Sequence, residues 1–254
     1  MKFVSNYPVA VISKTLLCAD LHLGIEFELE RGGVNVGLQW PAAAKTLEAL
    51  LKQTKCTQLL IIGDAKHDIR GFEEREKRMM RDFFRHLLAN GAKKIVVCKG
   101  NHDGQLQELA GEGLIELVGP QGFVLESGRA SYGVFHGHAW PARELMDCDW
   151  LLMGHNHPLI ELSEPMGFKW SEPAWIIGST KPNKPAGFPA QKTVVFPAFN
   201  ALSGGLVFNR FSCTQLLGPI FENELFDLRN AEARLLNGVS LGRIALLRRF
   251  TEPR

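Results

Sequence analysis

The sequence predicts a layered α/β domain built on one or two mixed β-sheets. Short apolar runs typical of buried strands alternate with amphipathic helical patterns over the first two-thirds of the chain. From Gly122 onward, short strand patterns dominate. The chain has 254 residues, 45% of them hydrophobic, which is enough for a substantial core. We expect a single domain over residues 1–254, with a cap or surface excursion over residues 165–190.

The first half of the chain alternates predicted strands and helices. Strands are expected over residues 9–13, 15–19, 57–62 and 93–98. One helix opens at Trp40, where Pro41 occupies a tolerated first-turn position. A second helix covers residues 72–89, and a short one runs through Leu109. The glutamate-rich residues 25–36 are expected to form a loop at the rim of a site.

The second half consists mainly of short predicted strands. They cover residues 123–126, 130–135, 150–153, 175–177, 193–196 and, at the end of the chain, 243–250. The excursion mixes basic and aromatic residues, and two interpretations fit it: stacking and phosphate contacts for a single-stranded nucleic acid, or a solvated loop over packed aromatic rings. The residues concerned are Lys181, Lys184, Lys192, Arg210, Trp170, Trp175 and Phe188.

Composition limits the partners and the compartment. A net charge of +2 does not favour indiscriminate binding to phosphate backbones. No apolar run approaches the roughly 20 residues that cross a bilayer, so no membrane partner is expected. The first residues lack the charged-then-apolar plan of a signal peptide, and the five cysteines are scattered without a CxxC pair. We therefore expect reduced thiols and a cytoplasmic location.

The placement of histidines is the strongest signal in the sequence. Seven of the eight lie in five short polar segments, each at or just beyond the end of an apolar run that reads as a strand. Those segments are residues 20–22, 63–68, 100–103, 136–138 and 154–157. Because ligand sites of open α/β sheets form where the carboxyl ends of strands converge, we expect the five segments to meet at one point.

The residue types in these segments indicate a metal site. Several imidazoles with carboxylates, and no cysteine among them, favour a first-row divalent metal: manganese, iron, zinc, cobalt or nickel. Six or more candidate ligands exceed one tetrahedral site, so two metals about 3.5–4 Å apart are expected. Neither a Walker A loop, a GxSxG elbow, an HExxH helix nor a GxGxxG turn behind a strand is present.

The ordered segments resemble the motif set of the calcineurin-like metallophosphoesterases. The resemblance spans residues 16–158 and rests on Asp20-x-His22, Gly63-Asp64-x-x-His67, Gly100-Asn101-His102-Asp103, His136 and Gly154-His155-x-His157. Residues 20–24, 136–141 and 197–200 further resemble the small archaeal-type phosphoesterases related to the SbcD nuclease. The resemblance implies a sandwich of two mixed β-sheets flanked by helices, in four layers.

The resemblance also implies a role for each ligand position. Asp20, His22 and His157 would hold a first metal, and Asn101, His136 and His155 a second. Asp64 would bridge the two metals, and a hydroxide between them would attack phosphorus. His102 would face the substrate as general acid or phosphate stabiliser.

Four neighbouring residues are candidates for supporting roles. His67 and Asp68 are placed to fix a ligand tautomer or bind an outer water, although His67 also fits an ordinary loop histidine. Asp103 is a candidate to orient His102, and His138 to touch substrate.

The expected activity is that of a metal-dependent phosphoric ester hydrolase, with manganese the favoured metal. A phosphodiesterase or nuclease acting on nucleic acid or nucleotides is the favoured function, assisting a DNA-processing partner such as a helicase. The chain leaves little room for the larger cap of SbcD-type nucleases, so ATP-coupled end resection is not expected. The alternatives are a phosphomonoesterase on a small metabolite or phosphoprotein, and a non-catalytic scaffold.

Overall fold

The computed structural model describes residues 1–164, 166–182 and 191–248. Two mixed sheets pack face to face, as expected. The first sheet has six strands in the order β1-β2-β3-β4-β5-β6, and its last four are parallel. They are β1 Lys2–Phe3, β2 Ala10–Ile12, β3 Thr15–Cys18, β4 Gln58–Ile62, β5 Lys94–Cys98 and β6 Glu116–Val118.

The second sheet has eight strands, in the order β14-β13-β11-β12-β9-β8-β7 with β10 paired to β11. Its parallel pairs are β12 with β9 and β9 with β8. The strands are β7 Phe123–Ser127, β8 Ala130–Val134, β9 Trp150–Met153, β10 Leu159–Ser163, β11 Lys169–Ser179, β12 Lys192–Val195, β13 Glu232–Leu235 and β14 Ser240–Arg243.

Helices cover the outer face of each sheet. The α-helices are α1 Ile25–Arg31, α2 Trp40–Thr54, α3 Glu74–Ala89, α4 Gln107–Gly111, α5 Pro219–Glu222 and α6 Ile244–Leu247. Short 3-10 turns lie at Arg143–Asp147, Ala201–Ser203 and Cys213–Gln215. Among the described helices, none combines the length and the apolar character that a membrane-spanning helix needs.

Alternation along the strands produces the four layers. On β4, Leu59 and Ile61 face the helices α2 and α3, while Leu60 and Ile62 face the second sheet. Both sets are almost completely buried. A third cluster, around Phe221, lies on the outer face of the second sheet. Three separate cores between four layers explain why the strands read as continuous apolar runs.

Two predicted elements are corrected by the structure. Residues 25–36 do not form only a loop, because α1 covers Ile25–Arg31 and buries Ile25 and Glu26. Residues 243–250 do not form a strand: β14 ends at Arg243, α6 follows, and residues 249–254 lie outside the described residues. α1 has only seven residues and is followed by Gly32, so it is too short for a helical period to show in the sequence.

The range predicted as an excursion contains sheet structure. Within residues 165–190, β11 is an 11-residue strand paired with β10, β12 and β13. Trp175 is buried between the sheets, with its ring 4.4 Å from Phe3 and 4.8 Å from Phe196, so it is no stacking platform for nucleic acid. Residue 165 and residues 183–190, including Lys184 and Phe188, lie outside the described residues.

Candidate metal centre

The five polar segments converge at one edge of the two sheets, beyond the carboxyl ends of β3, β4, β5, β8 and β9. Backbone hydrogen bonds tie the segments together. The Asp20 N–H donates to the Gly63 carbonyl at 3.1 Å, and the His22 N–H to the Asp64 carbonyl at 2.9 Å. The Gly154 N–H donates to the His136 carbonyl at 2.9 Å. The fold therefore brings the five polar segments together, as their positions at the strand ends predict.

Sharp backbone turns aim the candidate ligands inward. Five of them have a left-handed backbone, with a positive φ. This conformation costs about 1–3 kcal/mol for residues other than glycine and concentrates at functional sites. The residues and their φ values are Asp20 at 57°, His22 at 42°, Asp64 at 49°, His155 at 71° and His157 at 42°.

Two glycines make room for the ligand side chains. A Cβ atom on Gly63 would lie 2.1 Å from Nδ1 of His136, and one on Gly100 would lie 2.0 Å from Oδ1 of Asp64. Neither position can carry a side chain without displacing a buried ligand. The glycines that recur in the polar segments thus have a steric reason at these two places.

The first cluster consists of Asp20, His22 and His157, whose ligand atoms lie within 4.8 Å of one another. Nε2 of His22 and Nε2 of His157 are 3.1 Å apart, and Nε2 of His157 is 3.4 Å from Oδ1 of Asp20. These are the three residues that the family resemblance assigns to one metal.

The second cluster consists of Asp64, His136 and His155, again with ligand atoms within 4.8 Å. Nε2 of His136 lies 3.2 Å from Oδ2 of Asp64 and 3.3 Å from Oδ1 of Asn101. The same Asp64 oxygen is 3.7 Å from Nε2 of His22 in the first cluster. Asp64 therefore stands between the two clusters.

The outer hydrogen bonds of two imidazoles, His136 and His157, show that this donor set fits divalent metals. Nδ1 of His136 donates to the Ile62 carbonyl at 3.0 Å, and Nδ1 of His157 donates to the Gly204 carbonyl at 3.2 Å. These bonds turn Nε2 of both rings toward the carboxylates, as metal-ligating histidines are oriented by an outer partner. Imidazole, carboxylate and amide donors around one point suit manganese, iron, zinc, cobalt or nickel.

Burial and neighbouring charges shift the pKa values of the histidines at the centre in opposite directions. Burial lowers the pKa of His22 to about 2 and, together with the charge of His136, that of His155 to about 3. Burial also disfavours a charged His136, but Asp64 and Asp20 outweigh it and raise its pKa to about 9. Burial would raise the pKa of Asp64, yet His136 holds it below its usual range. His22 and His155 thus present the neutral imidazole that metal binding requires.

His102 is oriented by its backbone surroundings. Its N–H donates to Oδ1 of Asp64 at 2.9 Å, and its ring Nδ1 donates to the carbonyl of His67. The remaining ring nitrogen, Nε2, lies 3.9 Å from Oδ2 of Asp64, and His102 is among the residues that line the cavity of the centre. This nitrogen is placed to contact a substrate.

His67 lies beside a ligand rather than alone in a loop. Its Nδ1 is 3.3 Å from Nδ1 of His22, and its Nε2 is 2.9 Å from Oε2 of Glu28 on α1. A chain Glu28–His67–His22 therefore runs from the surface to the first cluster. His67, His22 and His102 also form a third group with ligand atoms within 4.8 Å.

The other three supporting candidates lie in different surroundings. Asp103 is fully buried and clamps two segments, because Oδ1 accepts from the Ala65 N–H at 2.8 Å and Oδ2 from the Gly100 N–H at 2.8 Å. Burial raises its pKa to about 6. Asp68 points toward α1, with Oδ2 3.5 Å from Nη2 of Arg31. His138 lies with its ring 6.0 Å from that of His155, and burial lowers its pKa to about 4.

Three supporting contacts were not predicted from the sequence. Glu28 pairs with His67, the side chain of Asn200 donates to the Leu21 carbonyl at 3.0 Å, and Asn156 exchanges two hydrogen bonds with the backbone of Leu217. All three residues fall in segments that the sequence singles out: Asn200 in 197–200, Asn156 in 154–157 and Glu28 in the glutamate-rich residues 25–36. Their partners were not predictable, because each contact joins distant parts of the chain.

The fold and the centre define a metallophosphoesterase-type α/β sandwich with histidine and aspartate clusters at the strand ends. A model of the calcineurin-like phosphoesterase family matches residues 13–160, and the chain belongs to that family. A comparison with curated protein sequences gives no match.

Comparison with solved structures gives similar chains at low sequence identity. Nuclease MPE of Pseudomonas putida is 20% identical with a TM-score of 0.57, covering 90% of this chain and 88% of that one. The phosphoesterase Yfce of E. coli is 16% identical with a TM-score of 0.38, covering 60% and 74%. The protein AQ665 of Aquifex aeolicus, of unknown function, is 16% identical with a TM-score of 0.39, covering 56% and 78%.

Proposed function

We propose that this protein is a dinuclear-metal-dependent phosphodiesterase or nuclease that acts on nucleic acid or nucleotides. Membership of the calcineurin-like phosphoesterase family supports hydrolysis of a phosphate ester. All seven expected ligand positions carry ligand-type side chains, which disfavours a non-catalytic scaffold. A nuclease is among the solved structures that share the fold.

The lining of the catalytic cavity favours a diester. The cavity measures about 280 Å³, and the described residues that line it include neither lysine nor arginine. A monoester presents a doubly charged terminal phosphate, which a cationic side chain would help to bind, whereas a diester carries a single charge. The lining residues are His22, Asp64, Asn101, His102, His155, Asn156, His157, Ser203, Gly205, Leu206 and Leu217.

The two clusters would hold the metals as two neighbouring ions, with Asp64 shared between them and Asn101 in the second cluster. When bound, two divalent cations neutralise charge on the phosphoryl oxygens and lower the pKa of the attacking water. The buried, neutral His22 and His155 are ready to bind such cations without first losing a proton.

His102 would provide the proton for the leaving group. In the doubly protonated ring, Nδ1–H is held by the His67 carbonyl and Nε2 carries the second proton. As hydroxide bonds to phosphorus and the ester P–O bond breaks, that Nε2 proton would pass to the departing alkoxide and leave a neutral His102. The Nδ1 bond to the His67 carbonyl keeps the ring turned so that Nε2 faces the cavity.

The test compares two chromogenic esters. We expect manganese-dependent hydrolysis of bis-p-nitrophenyl phosphate to exceed that of p-nitrophenyl phosphate, with no turnover after chelation, and two metal ions per chain by elemental analysis. A preference for the monoester would replace the proposal by the phosphomonoesterase alternative. Bound metals with no hydrolysis of either ester or of DNA would favour a scaffold. A helicase-type partner remains a prediction, to be tested by co-purification.

A further inference from the structure

The catalytic cavity combines polar and apolar lining. Most of its lining side chains are the metal-binding and proton-donating groups, and Leu206 and Leu217 are the only apolar side chains among the described lining residues. Leu217 is 46% exposed, so a large apolar side chain stays open to solvent beside a site built for a charged phosphate. Metal binding does not use either leucine, which leaves both available to contact the organic part of a substrate.

Hydrogen bonds to the ligand segment behind β9 fix both leucines. The side chain of Asn156, which is 1% exposed, accepts from the Leu217 N–H at 2.8 Å and donates to the Leu217 carbonyl at 3.0 Å. The Leu206 N–H donates to the Asn156 carbonyl at 3.2 Å. Because Asn156 stands between the candidate ligands His155 and His157, the leucines have a fixed position relative to the metal-binding side chains.

The proton donor and the leucines are held by different sheets. His102 follows β5 of the first sheet, whereas Asn156, which holds the leucines, follows β9 of the second sheet. A phosphate at the metal centre would lie between these two sides of the cavity. Its leaving group would then face His102, and the ester group that stays on phosphorus would face Leu206 and Leu217.

The polar groups beside the leucines are already engaged. Both side-chain groups of Asn156 bond to the backbone of Leu217, and the hydroxyl of Ser203 donates to the Asn200 carbonyl at 2.7 Å. Gly205 has no side chain, and a Cβ there would lie 2.0 Å from the carbonyl oxygen of His157. On this side of the cavity, the described side chains therefore present an apolar surface that suits the face of a ring and offers no free donor to its edge.

We propose that Leu206 and Leu217 form a subsite for the ring group that stays on the scissile phosphate, which in a nucleic acid is the base next to that phosphate. The subsite contacts the face of the ring. Every base has such a face, so the contact tolerates all four bases and cleavage does not depend on the base at this position. This inference rests on the proposed phosphodiesterase function and adds the ester group that the enzyme favours.

The kinetic test uses two diesters with the same leaving group. Phenyl p-nitrophenyl phosphate keeps a ring on phosphorus when p-nitrophenol leaves, whereas methyl p-nitrophenyl phosphate keeps a methyl group. We expect Leu217→Ala to lower kcat/KM for the phenyl ester, relative to the methyl ester, by about tenfold, as the loss of an apolar contact in a binding site does. The hydrogen bonds to Asn156 come from the Leu217 backbone, so this variant keeps them. An unchanged ratio would overturn the proposal.

Two further variants separate the ring contact from general damage. Leu217→Met keeps an apolar side chain of similar volume and should keep the ratio of the unmodified protein. Leu202 is 42% exposed in the same 3-10 turn as Ser203 but does not line the catalytic cavity, so Leu202→Ala is the matched control and should also keep the ratio. A tenfold fall of the ratio in Leu202→Ala as well would show that the effect does not come from the subsite.

The p-nitrophenyl esters of deoxyadenosine 5′-monophosphate and thymidine 5′-monophosphate test whether the subsite contacts ring faces. We expect their kcat/KM values to lie within about threefold of each other, because stacking contacts are tolerant of the base. Leu217→Ala should lower both values by the same factor. A preference of tenfold or more for one ester would contradict contact through the ring face alone.

A binding measurement separates this inference from the proposed function. Phenylphosphonate and methylphosphonate carry no ester bond, so their binding to the manganese-loaded protein, measured by calorimetry, does not depend on turnover. We expect phenylphosphonate to bind about tenfold more tightly than methylphosphonate, and Leu217→Ala to remove the difference. Hydrolysis of bis-p-nitrophenyl phosphate with equal binding of the two phosphonates would overturn the inference and keep the phosphodiesterase. Tighter binding of phenylphosphonate without hydrolysis of any diester would keep the subsite and overturn the proposed function.

Discussion

The two ligand clusters of the centre are held in different ways. In the second cluster, the fully buried His136 is fixed by the backbone carbonyl of Ile62, and Gly63 and Gly100 leave space for the side chains. In the first cluster, the His22 ring contacts the His67 ring, and His67 in turn contacts Glu28. Backbone groups at the strand ends therefore fix the second cluster. The first cluster depends partly on contacts with two further side chains, His67 and Glu28, and Glu28 lies at the surface.

This difference predicts unequal tolerance to change. The Glu28 side chain is 67% exposed and its loss leaves every strand intact. Asp64 is buried and contacts histidines of both clusters, so its loss disturbs them together. We therefore expect the largest effect from loss of Asp64, which both clusters share, and the smallest from loss of Glu28, the outermost support.

Removal of the shared carboxylate has the largest expected effect. Asp64→Ala should abolish hydrolysis and lower the metal content, because both clusters lose a ligand. It should also lower the free energy of unfolding by about 3–5 kcal/mol, since the fully buried His136 loses the carboxylate 3.2 Å from its Nε2. Elemental analysis and denaturant unfolding measure both. Asp68→Ala, in the same loop but directed to Arg31, is the control. Two bound metals with full activity in Asp64→Ala would contradict the shared role.

Removal of the proton donor should separate chemistry from metal binding. His102→Ala is expected to keep its metals and lose about 10²–10⁴-fold in kcat, most strongly on esters with poor leaving groups. Steady-state kinetics on a dinucleotide and on bis-p-nitrophenyl phosphate measure the difference. His86→Ala, which affects the pair with Glu48 on α2, is the control histidine. Equal loss on both substrates would contradict the general-acid role.

An added methyl group at Gly100, beside Asp64 of the second cluster, should lower stability and metal affinity more than the same group at Gly104. A Cβ on Gly100 meets Asp64 at 2.0 Å, whereas one on Gly104 meets nothing within 4 Å. Gly100→Ala should therefore lower the free energy of unfolding by about 1–3 kcal/mol and weaken metal binding. Gly104→Ala should do neither. If the two variants unfold at the same denaturant concentration, the second cluster is more adaptable than its packing indicates.

Loss of the outer support of the first cluster has the smallest expected effect. Glu28→Gln removes the charge that holds His67, and should weaken manganese binding by about tenfold, as outer partners of metal ligands commonly do. Calorimetric titration of the metal-free protein measures it. Glu30→Gln, on the same helix but paired with Arg75, is the matched control. Identical affinities in the two variants would show that His22 is fixed without help from α1.

Elements with strong periodicity were predictable from the sequence. The parallel strands β3, β4 and β5 and the helices α2 and α3 follow from apolar runs and helical spacing, because each faces a core on a fixed side. Two short helices were not: α1 has 7 residues and α6 has 4, and neither carries enough turns for a period to show. The β10–β11 hairpin was hidden within a segment rich in proline and glycine.

By itself, the sequence determined the chemistry of the centre. Asp20, Asp64 and the histidines stand in short segments behind strand patterns, and parallel strands must present their carboxyl ends at one edge. Only the tertiary structure decided which ring nitrogen faces the carboxylates, that Asp103 clamps backbone and that Glu28 reaches His67. Such contacts join residues that lie 38, 39 and 74 positions apart, as in Ala65–Asp103, Glu28–His67 and Ile62–His136. They depend on how helices pack onto sheets, and no local pattern of residues records that packing.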